Sequence, residues 1–366
     1  MNPRERWALC RQGLPTDRVP MDFAGTTLTS AEPAAMKNLA DFLGVQAADP
    51  AVELERIQKA LGVDFRRVGA LIEPPSSLSR PLADGEFTDS WGITRRWTGL
   101  YYDIVDPPLK NAGLSDLAAY PWPDAREIPQ AWFDGYADDA QRLSGDTDYV
   151  VVAEHPVYGY LEMGCWLCGY DDFLYRLLAD GEFVRALFGR YHAYVREVTE
   201  RYYRAVGPWI HVTTSGDDFG MQSAPFLSPE CFRELLVPWY KERIGQTKSL
   251  TRADYFHHTC GSVYRLLDDI CAMGVDILNP IQPGALEMEP ERLKKGFGSR
   301  LIFWGGIDEQ VLLTRGTESE VEDGVRRVAG AMSRGSRFAA APSHNIQVDV
   351  PPENVVAMYR ALEAFA

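Results

Sequence analysis

The stretch FHHTCGS, residues 256–262, lies between a polar run and a helical pattern. It brings two imidazoles and a thiol within four positions, and Gly261 allows the backbone to turn from a strand into the helix that follows. Because side chains alternate along a strand, His258 and Cys260 share one face while His257 points to the other. The stretch therefore predicts a strand end at which His258 and Cys260 can bind zinc, although buried cysteines and single histidines are also common as packing and hydrogen-bonding groups.

The order of apolar run, polar turn and helical pattern recurs along the chain. Strand-like runs lie at residues 18–23, 63–68, 149–153, 209–213, 253–257, 275–279, 301–304 and 337–341, which makes eight. Short strands that alternate with helices are typical of a parallel sheet with crossover helices. With no G-x-G-x-x-G motif and no P-loop, these units predict an α/β fold, a (β/α)8 TIM barrel, with an open sheet as the alternative. We expect a single domain over residues 1–366 that begins with an N-terminal helical extension.

Residues 73–130 interrupt this regularity with clusters of proline. A structureless loop of that length is uncommon in a compact domain, so we predict an insertion after strand 2 that caps the barrel mouth, with short strands around residues 88–102. The aromatic residues of segment 91–102 are explained equally well by packing and by substrate binding. Tyr101 is the candidate substrate contact among them.

The charge of the chain excludes some classes of partner. Acidic residues number 52 and basic residues 37, which gives a net charge of −15 and disfavours nucleic acid or an anionic membrane as the main partner. The N-terminal residues lack the apolar core of a signal peptide, so we expect a cytoplasmic protein. The six cysteines are scattered and expected to be reduced, and Cys165-x-x-Cys168 is better explained by helix packing than by chemistry.

Unusual polar residues follow the predicted strands one after another. They are Asp217 and Asp218 after the fourth strand, His258 and Cys260 after the fifth, Asn279 and Gln282 after the sixth, Asp308 after the seventh, and His344 after the eighth. In a TIM barrel, the C-terminal ends of the strands carry the chemistry. The sequence thus predicts one functional rim.

Four segments together resemble the uroporphyrinogen decarboxylase superfamily: FHHTCGSV (256–263), GVDILNPIQP (274–283), FWGGID (303–308) and HNIQVDVPPENV (344–355). Within that superfamily the chain is more similar to the corrinoid-linked methyltransferase branch. The resemblance covers roughly residues 150–366 well and the first part loosely. It implies a (β/α)8 barrel, in agreement with the periodicity.

The resemblance also implies a cofactor and a partner. The methyltransferases bind zinc through an H-x-C motif, here His258-x-Cys260, together with a cysteine near the last strand. His344 stands near that later position, and imidazole is an acceptable replacement for thiolate at zinc. The family's usual partner is a separate corrinoid protein that presents methylcobalamin, because this chain has no D-x-H-x-x-G segment. The implied reaction moves a methyl group between the corrinoid and an aryl methyl ether, a methylamine or a thiol.

The remaining rim residues have candidate roles with structural alternatives. Asp217 and Asp218 are candidates for a fourth zinc ligand, a partner of His258 or a proton carrier, and strand-end capping is the alternative. Asp308 is a candidate to orient substrate, or else an N-cap. Three amides that suit a polar substrate atom are Asn279, Gln282 and Gln347.

Other functions stay open at this point. One is a metal-free decarboxylase of a tetrapyrrole or another carboxylate, but the loop after the first strand, AGTTLTS (24–30), has no arginine to hold such a substrate. His344 does not decide this question, because the decarboxylases also have a functional histidine there. A zinc hydrolase or lyase and a non-catalytic binding protein are further alternatives. The sequence does not decide between a monomer and a homodimer.

Overall fold

The computed structural model describes residues 1–99 and 102–364. Its strands are β1 (Phe65–Val68), β2 (Arg80–Pro81), β3 (Glu86–Thr88), β4 (Thr94–Trp97), β5 (Tyr102–Asp106), β6 (Val150–Ala153), β7 (Val212–Thr213), β8 (Asp254–His258), β9 (Ile277–Asn279), β10 (Ile302–Ile307) and β11 (Phe338–Pro342). Its helices are α1 (Pro3–Arg11), α2 (Pro33–Leu43), α3 (Pro50–Ala60), α4 (Leu114–Ala119), α5 (Gln130–Asp146), α6 (Tyr160–Cys168), α7 (Tyr170–Ala179), α8 (Gly181–Val206), α9 (Pro229–Leu235), α10 (Val237–Leu250), α11 (Leu267–Met273), α12 (Pro290–Phe297), α13 (Leu312–Arg315), α14 (Glu318–Met332) and α15 (Pro352–Glu363).

A curled parallel sheet of seven strands forms the barrel wall in the order β1-β6-β7-β8-β9-β10-β11. The segment around Met21 closes the gap between its two edges. It pairs in parallel with Ala340 of β11, and its carbonyl oxygen accepts a 2.8 Å hydrogen bond from the amide of Asp64, next to β1. The predicted TIM-barrel fold is confirmed.

The first predicted strand, residues 18–23, is reduced to this single bridge. Pro20 has no N–H to donate, and the amide of Met21 donates to the Asp64 carboxylate at 2.8 Å instead of to a neighbouring strand. The same carboxylate accepts bonds from Arg6 and Arg18. A buried ion-pair cluster therefore replaces part of the ladder at this edge.

The inside of the barrel is filled by alternate side chains of its strands. Trp304 of β10 lies at the centre, 4.2 Å from Phe65 and 5.4 Å from Phe256 between ring centroids. Trp7 of α1 packs edge-on against Trp304, so the N-terminal helix closes the bottom of the barrel. Because Phe256 points inward, His258 points inward at the top of the same strand.

The insertion contains the predicted short strands as an antiparallel sheet of β2, β3, β4 and β5. Trp91 is buried against Tyr191 and Tyr194 of α8, so this aromatic residue packs the insertion onto an outer helix. Tyr101 lies outside the described residues. Capping of the barrel mouth by this segment stays a prediction.

The sequence patterns missed α4, α5, α12, α13 and the start of α6. Helix α6 begins at Gly159 with no capping side chain of its own, and its first amides donate to Asp217, 56 residues away in the sequence. A local start signal was therefore absent. No helix in the described part of the chain is long and apolar enough to cross a membrane.

Candidate metal centre

Three potential metal donors meet at the C-terminal rim of the barrel. His258 ends β8, Cys260 follows two residues later, and His344 lies just after β11. One donor atom from each lies within 4.8 Å of the others. The Cys260 Sγ atom is 3.3 Å from Nε2 of His258, and the two imidazole centroids are 5.8 Å apart. The structure thus brings together residues 86 positions apart in the sequence.

Asn279, at the end of the neighbouring strand β9, sets the tautomer of His258. Its Nδ2 donates to the carbonyl of Trp304 at 3.1 Å, which leaves Oδ1 as the atom 2.6 Å from His258 Nδ1. His258 therefore donates its Nδ1 proton to Asn279 and keeps the lone pair on Nε2, the atom that faces Cys260. This is the tautomer that a metal ligand needs.

Two side chains hold the turn that carries Cys260. The Asp218 carboxylate accepts a 2.7 Å hydrogen bond from the amide of Cys260, and Gln282 Oε1 accepts one of 2.7 Å from the amide of Gly261. Gly261 has φ +81°, and a Cβ atom there would lie 2.6 Å from the backbone of the loop after β7. Only glycine fits this tight crossing.

The electrostatics of the donors suit a cation. Burial lowers the pKa of His258 to about 4, so the imidazole is neutral near pH 7. Burial, and then the negative charge of Asp218, raise the pKa of the Cys260 thiol above its ordinary range. A divalent cation at this point would remove that penalty and displace the thiol proton.

The donor set fits zinc. With Zn–N and Zn–S bonds of about 2.1 and 2.3 Å, tetrahedral ligands lie about 3.4–3.6 Å apart, close to the sulfur–nitrogen distance at Cys260. The other separations need a closure of roughly 1 Å. Two imidazoles and one thiolate leave one position open, as in catalytic zinc sites.

Asp218 lies closest to these donors among the predicted acids. Its Oδ1 is 3.8 Å from His258 Nε2, and its side chain is 41% exposed at the rim. Asn279 and Gln282, predicted as substrate contacts, have a different place here. Their polar atoms hold His258 and the turn after Cys260, and their contact with substrate stays a prediction.

Asp217 is fully buried. Its two oxygens accept bonds from the amides of Leu161 and Glu162, at 2.7 and 2.9 Å, and from the Tyr240 hydroxyl at 2.7 Å. These bonds are the ones that the capping alternative expects, and a catalytic role of Asp217 stays a prediction. Burial raises the pKa of Asp217.

Asp308 also caps local backbone. Its Oδ1 accepts bonds from the amides of Gln310 and Val311 at 2.8 and 3.2 Å, in the turn before α13, whose N-cap residue is Val311. Gln347 donates from Nε2 to the carbonyl of Asn345 at 3.2 Å. Its role toward substrate stays a prediction.

Sequence reasoning missed four acidic or basic residues near the rim. Glu309 is buried and accepts a hydrogen bond from Ser343, and burial raises the pKa of its carboxyl. Glu162 lies in the first turn of α6, the part of that helix that was not predicted. Glu154 and His155 directly follow β6, and that position was the signal that could have identified them.

A β/α barrel with a candidate metal centre at its C-terminal rim defines the class of protein. The model of the uroporphyrinogen decarboxylase (URO-D) family matches residues 165–365, more than half of the chain. The chain belongs to this family.

Solved structures share the fold. A methyltransferase from Methanosarcina mazei is similar over 100% of this chain and 99% of its own, with a TM-score of 0.69 and 17% sequence identity. A GH113 beta-1,4-mannanase matches with a TM-score of 0.41 and 9% identity over 94% of this chain and 99% of its own, and that score is too low to carry an argument. A comparison with curated protein sequences gives no significant match.

Proposed function

We propose that this protein is a zinc-dependent methyltransferase that moves a methyl group between a small methylated substrate and a corrinoid cofactor. The observation that carries the proposal is the set of His258, Cys260 and His344, in which Asn279 fixes the lone pair of His258 toward Cys260. The fold shared with the methyltransferase from Methanosarcina mazei supports it.

The donors and their neighbours divide the work. Zinc bound there would supply a redox-silent Lewis acid that makes a thiol acidic or polarises an ether oxygen. Asn279 holds His258 in the binding tautomer, and Gln282 holds the turn at Gly261. Asp218 would accept the proton from a substrate thiol, and its position 3.8 Å from His258 Nε2 with a partly exposed side chain supports this role.

The face around the centre suits a large partner. Four exposed apolar side chains lie in four different loops that follow barrel strands: Met221 after β7, Leu286 after β9, Val311 after β10 and Val348 after β11. The loops of the first two are joined by a hydrogen bond from the Leu286 amide to the Gln222 carbonyl. Exposed apolar groups around a site favour a docking surface, here for a corrinoid protein.

Metal content tests the proposal directly. We expect elemental analysis of the purified protein, after zinc is supplied, to give about one zinc ion per chain in the wild type and little in Cys260→Ser. Cys271→Ser is the matched control, because this half-buried thiol of α11 is not part of the centre. Chelation should abolish methyl transfer from methylcobalamin to a thiol. This transfer is measured by the absorption change of the corrinoid. A folded wild type without zinc would refute the proposal and favour a metal-free decarboxylase.

A further inference from the structure

A cavity of about 130 Å³ shares Asp218 with the surroundings of the metal centre. Its walls come from α6, α7 and the loop after β7, and it has room for about four waters. Asp218 lines it and also holds the amide of Cys260. Gly220 lines it as well, and a Cβ atom there would lie 2.8 Å from the carbonyl oxygen of Cys260. A small molecule in the cavity would therefore lie next to the metal centre.

Glu162 presents a carboxyl group to this cavity without a protein partner. Within residues 1–99 and 102–364, its carboxylate has no hydrogen bond or ion pair. Burial, and then the negative charges of Asp217 and Asp218, raise the pKa of Glu162 well above its ordinary value. Both oxygens of Asp217 accept hydrogen bonds from the protein, from two amides of α6 and from the Tyr240 hydroxyl. Glu162 and Asp218 are therefore the carboxylates available to a ligand. Glu162 is partly buried, and a carboxyl group in such a position with no protein partner is stabilised when a positive group binds to it.

Aromatic rings complete the walls. Tyr170 of α7 and Phe226 both line the cavity, and Tyr170 is half exposed at its open side. Aromatic faces attract organic cations, and together with carboxylates they are a usual surrounding for an alkylammonium group. A neutral aryl ether would leave Glu162 unpaired, and an anionic substrate would be repelled by both carboxylates.

We propose that this cavity binds the ammonium group of a small cationic substrate, whose reacting sulfur, oxygen or nitrogen atom then lies at His258, Cys260 and His344. The inference rests on the proposed function and narrows its substrate class to molecules that carry a positive charge. Glu162 is the residue that selects the charge, with Asp218 between the two subsites.

A pair of matched thiols tests the cavity. We would measure binding of 2-aminoethanethiol, a cation, and of the neutral 2-mercaptoethanol by isothermal titration calorimetry, on zinc-supplied and on chelator-treated protein. The cationic thiol should bind at least about ten times more tightly in both forms, since a charge-assisted hydrogen bond gives a preference of that order. Glu162→Gln should remove this preference and leave the affinity for the neutral thiol unchanged.

Two further variants guard against misfolding. Glu197→Gln, an exposed acid on α8, should bind both thiols like the wild type. Tyr170 is half exposed, so we expect Tyr170→Leu to fold. This variant should bind the cationic thiol about threefold more weakly, because the aromatic ring face is lost. Equal affinity for the two thiols, or a preference that survives in Glu162→Gln, would overturn the inference. A preference for the cation in a protein that binds no zinc would refute the proposed function but support the cavity.

Discussion

Replacing Asn279 by alanine tests the link between the barrel wall and the metal centre. Asn279 is buried at the end of β9 and makes two hydrogen bonds, one with His258 Nδ1 at 2.6 Å and one with the Trp304 carbonyl at 3.1 Å. The variant leaves both the His258 Nδ1 atom and the Trp304 carbonyl without this hydrogen-bond partner. His258 is then free to carry its proton on Nε2, where it would block metal binding.

The size of the effect follows from these two bonds. Each buried polar group left without a partner costs about 1–3 kcal/mol, so Asn279→Ala should lower the free energy of unfolding by roughly 3 kcal/mol. Loss of a hydrogen-bond partner behind a ligating histidine weakens metal binding by about 10–100-fold. That range corresponds to about 1.4–2.8 kcal/mol of binding free energy.

Zinc affinity would be measured by competition with a chromophoric chelator, and stability by urea unfolding. Asn354→Ala is the matched control, because its buried side chain also donates two hydrogen bonds, to the carbonyls of Leu313 and Gly316 at 2.9 and 2.8 Å. It should lose similar stability without losing zinc affinity. Asn279→Asp keeps an acceptor for His258 and should bind zinc to within about threefold of the wild type.

An Asn279→Ala protein that binds zinc as tightly as the wild type would refute the reasoning. So would an equal loss of zinc affinity in Asn354→Ala, because the effect would then be one of general stability rather than of the His258 tautomer.

Three other changes have expected outcomes. Asp217→Ala removes the acceptors for two hydrogen bonds at the start of α6 and for one from the Tyr240 hydroxyl, and should cost about 3 kcal/mol in urea unfolding; a loss below about 1 kcal/mol would contradict the capping role. Burial raises the pKa of Glu154, but His155, the Thr27 amide and Arg67 together outweigh burial and hold that pKa at about 2, below the ordinary 4.5. Because the unfolded chain binds the proton more tightly, stability should fall as the pH drops from 4.5 to 2, by up to about 3 kcal/mol, and Glu154→Gln should flatten this acid limb. Gly261→Ala would place a Cβ atom 2.6 Å from the Met221 oxygen and should weaken zinc binding at least about tenfold, and a variant with unchanged affinity would show that the turn has room.

Much of the barrel could be predicted because its signals are local. The alternation of apolar runs and helical patterns located seven wall strands to within a few residues. The first strand was overestimated, because its pairing depends on the Asp64 carboxylate, which takes the Met21 amide. The start of helix α6 was missed for a related reason, since Asp217 accepts hydrogen bonds from its first amides and belongs to a loop far away in the sequence.

The candidate site divides in the same way. Residue type and spacing identified His258, Cys260 and His344, which the structure brings within 4.8 Å of one another. The same reasoning treated every polar residue of the rim alike. It had no means to separate Asp218, which lies beside the donors, from Asp217, which faces a helix.

The sequence by itself determined that His258 and Cys260 share a face and that His257 points away, because alternation is a property of the extended backbone. His257 indeed packs outward against Phe219, with 5.1 Å between ring centroids. The tertiary structure alone decided which polar groups form hydrogen bonds within the protein and which are available to a ligand. Those hydrogen bonds join neighbouring strands and loops, and their partners depend on how the barrel closes, which spacing along the chain does not encode.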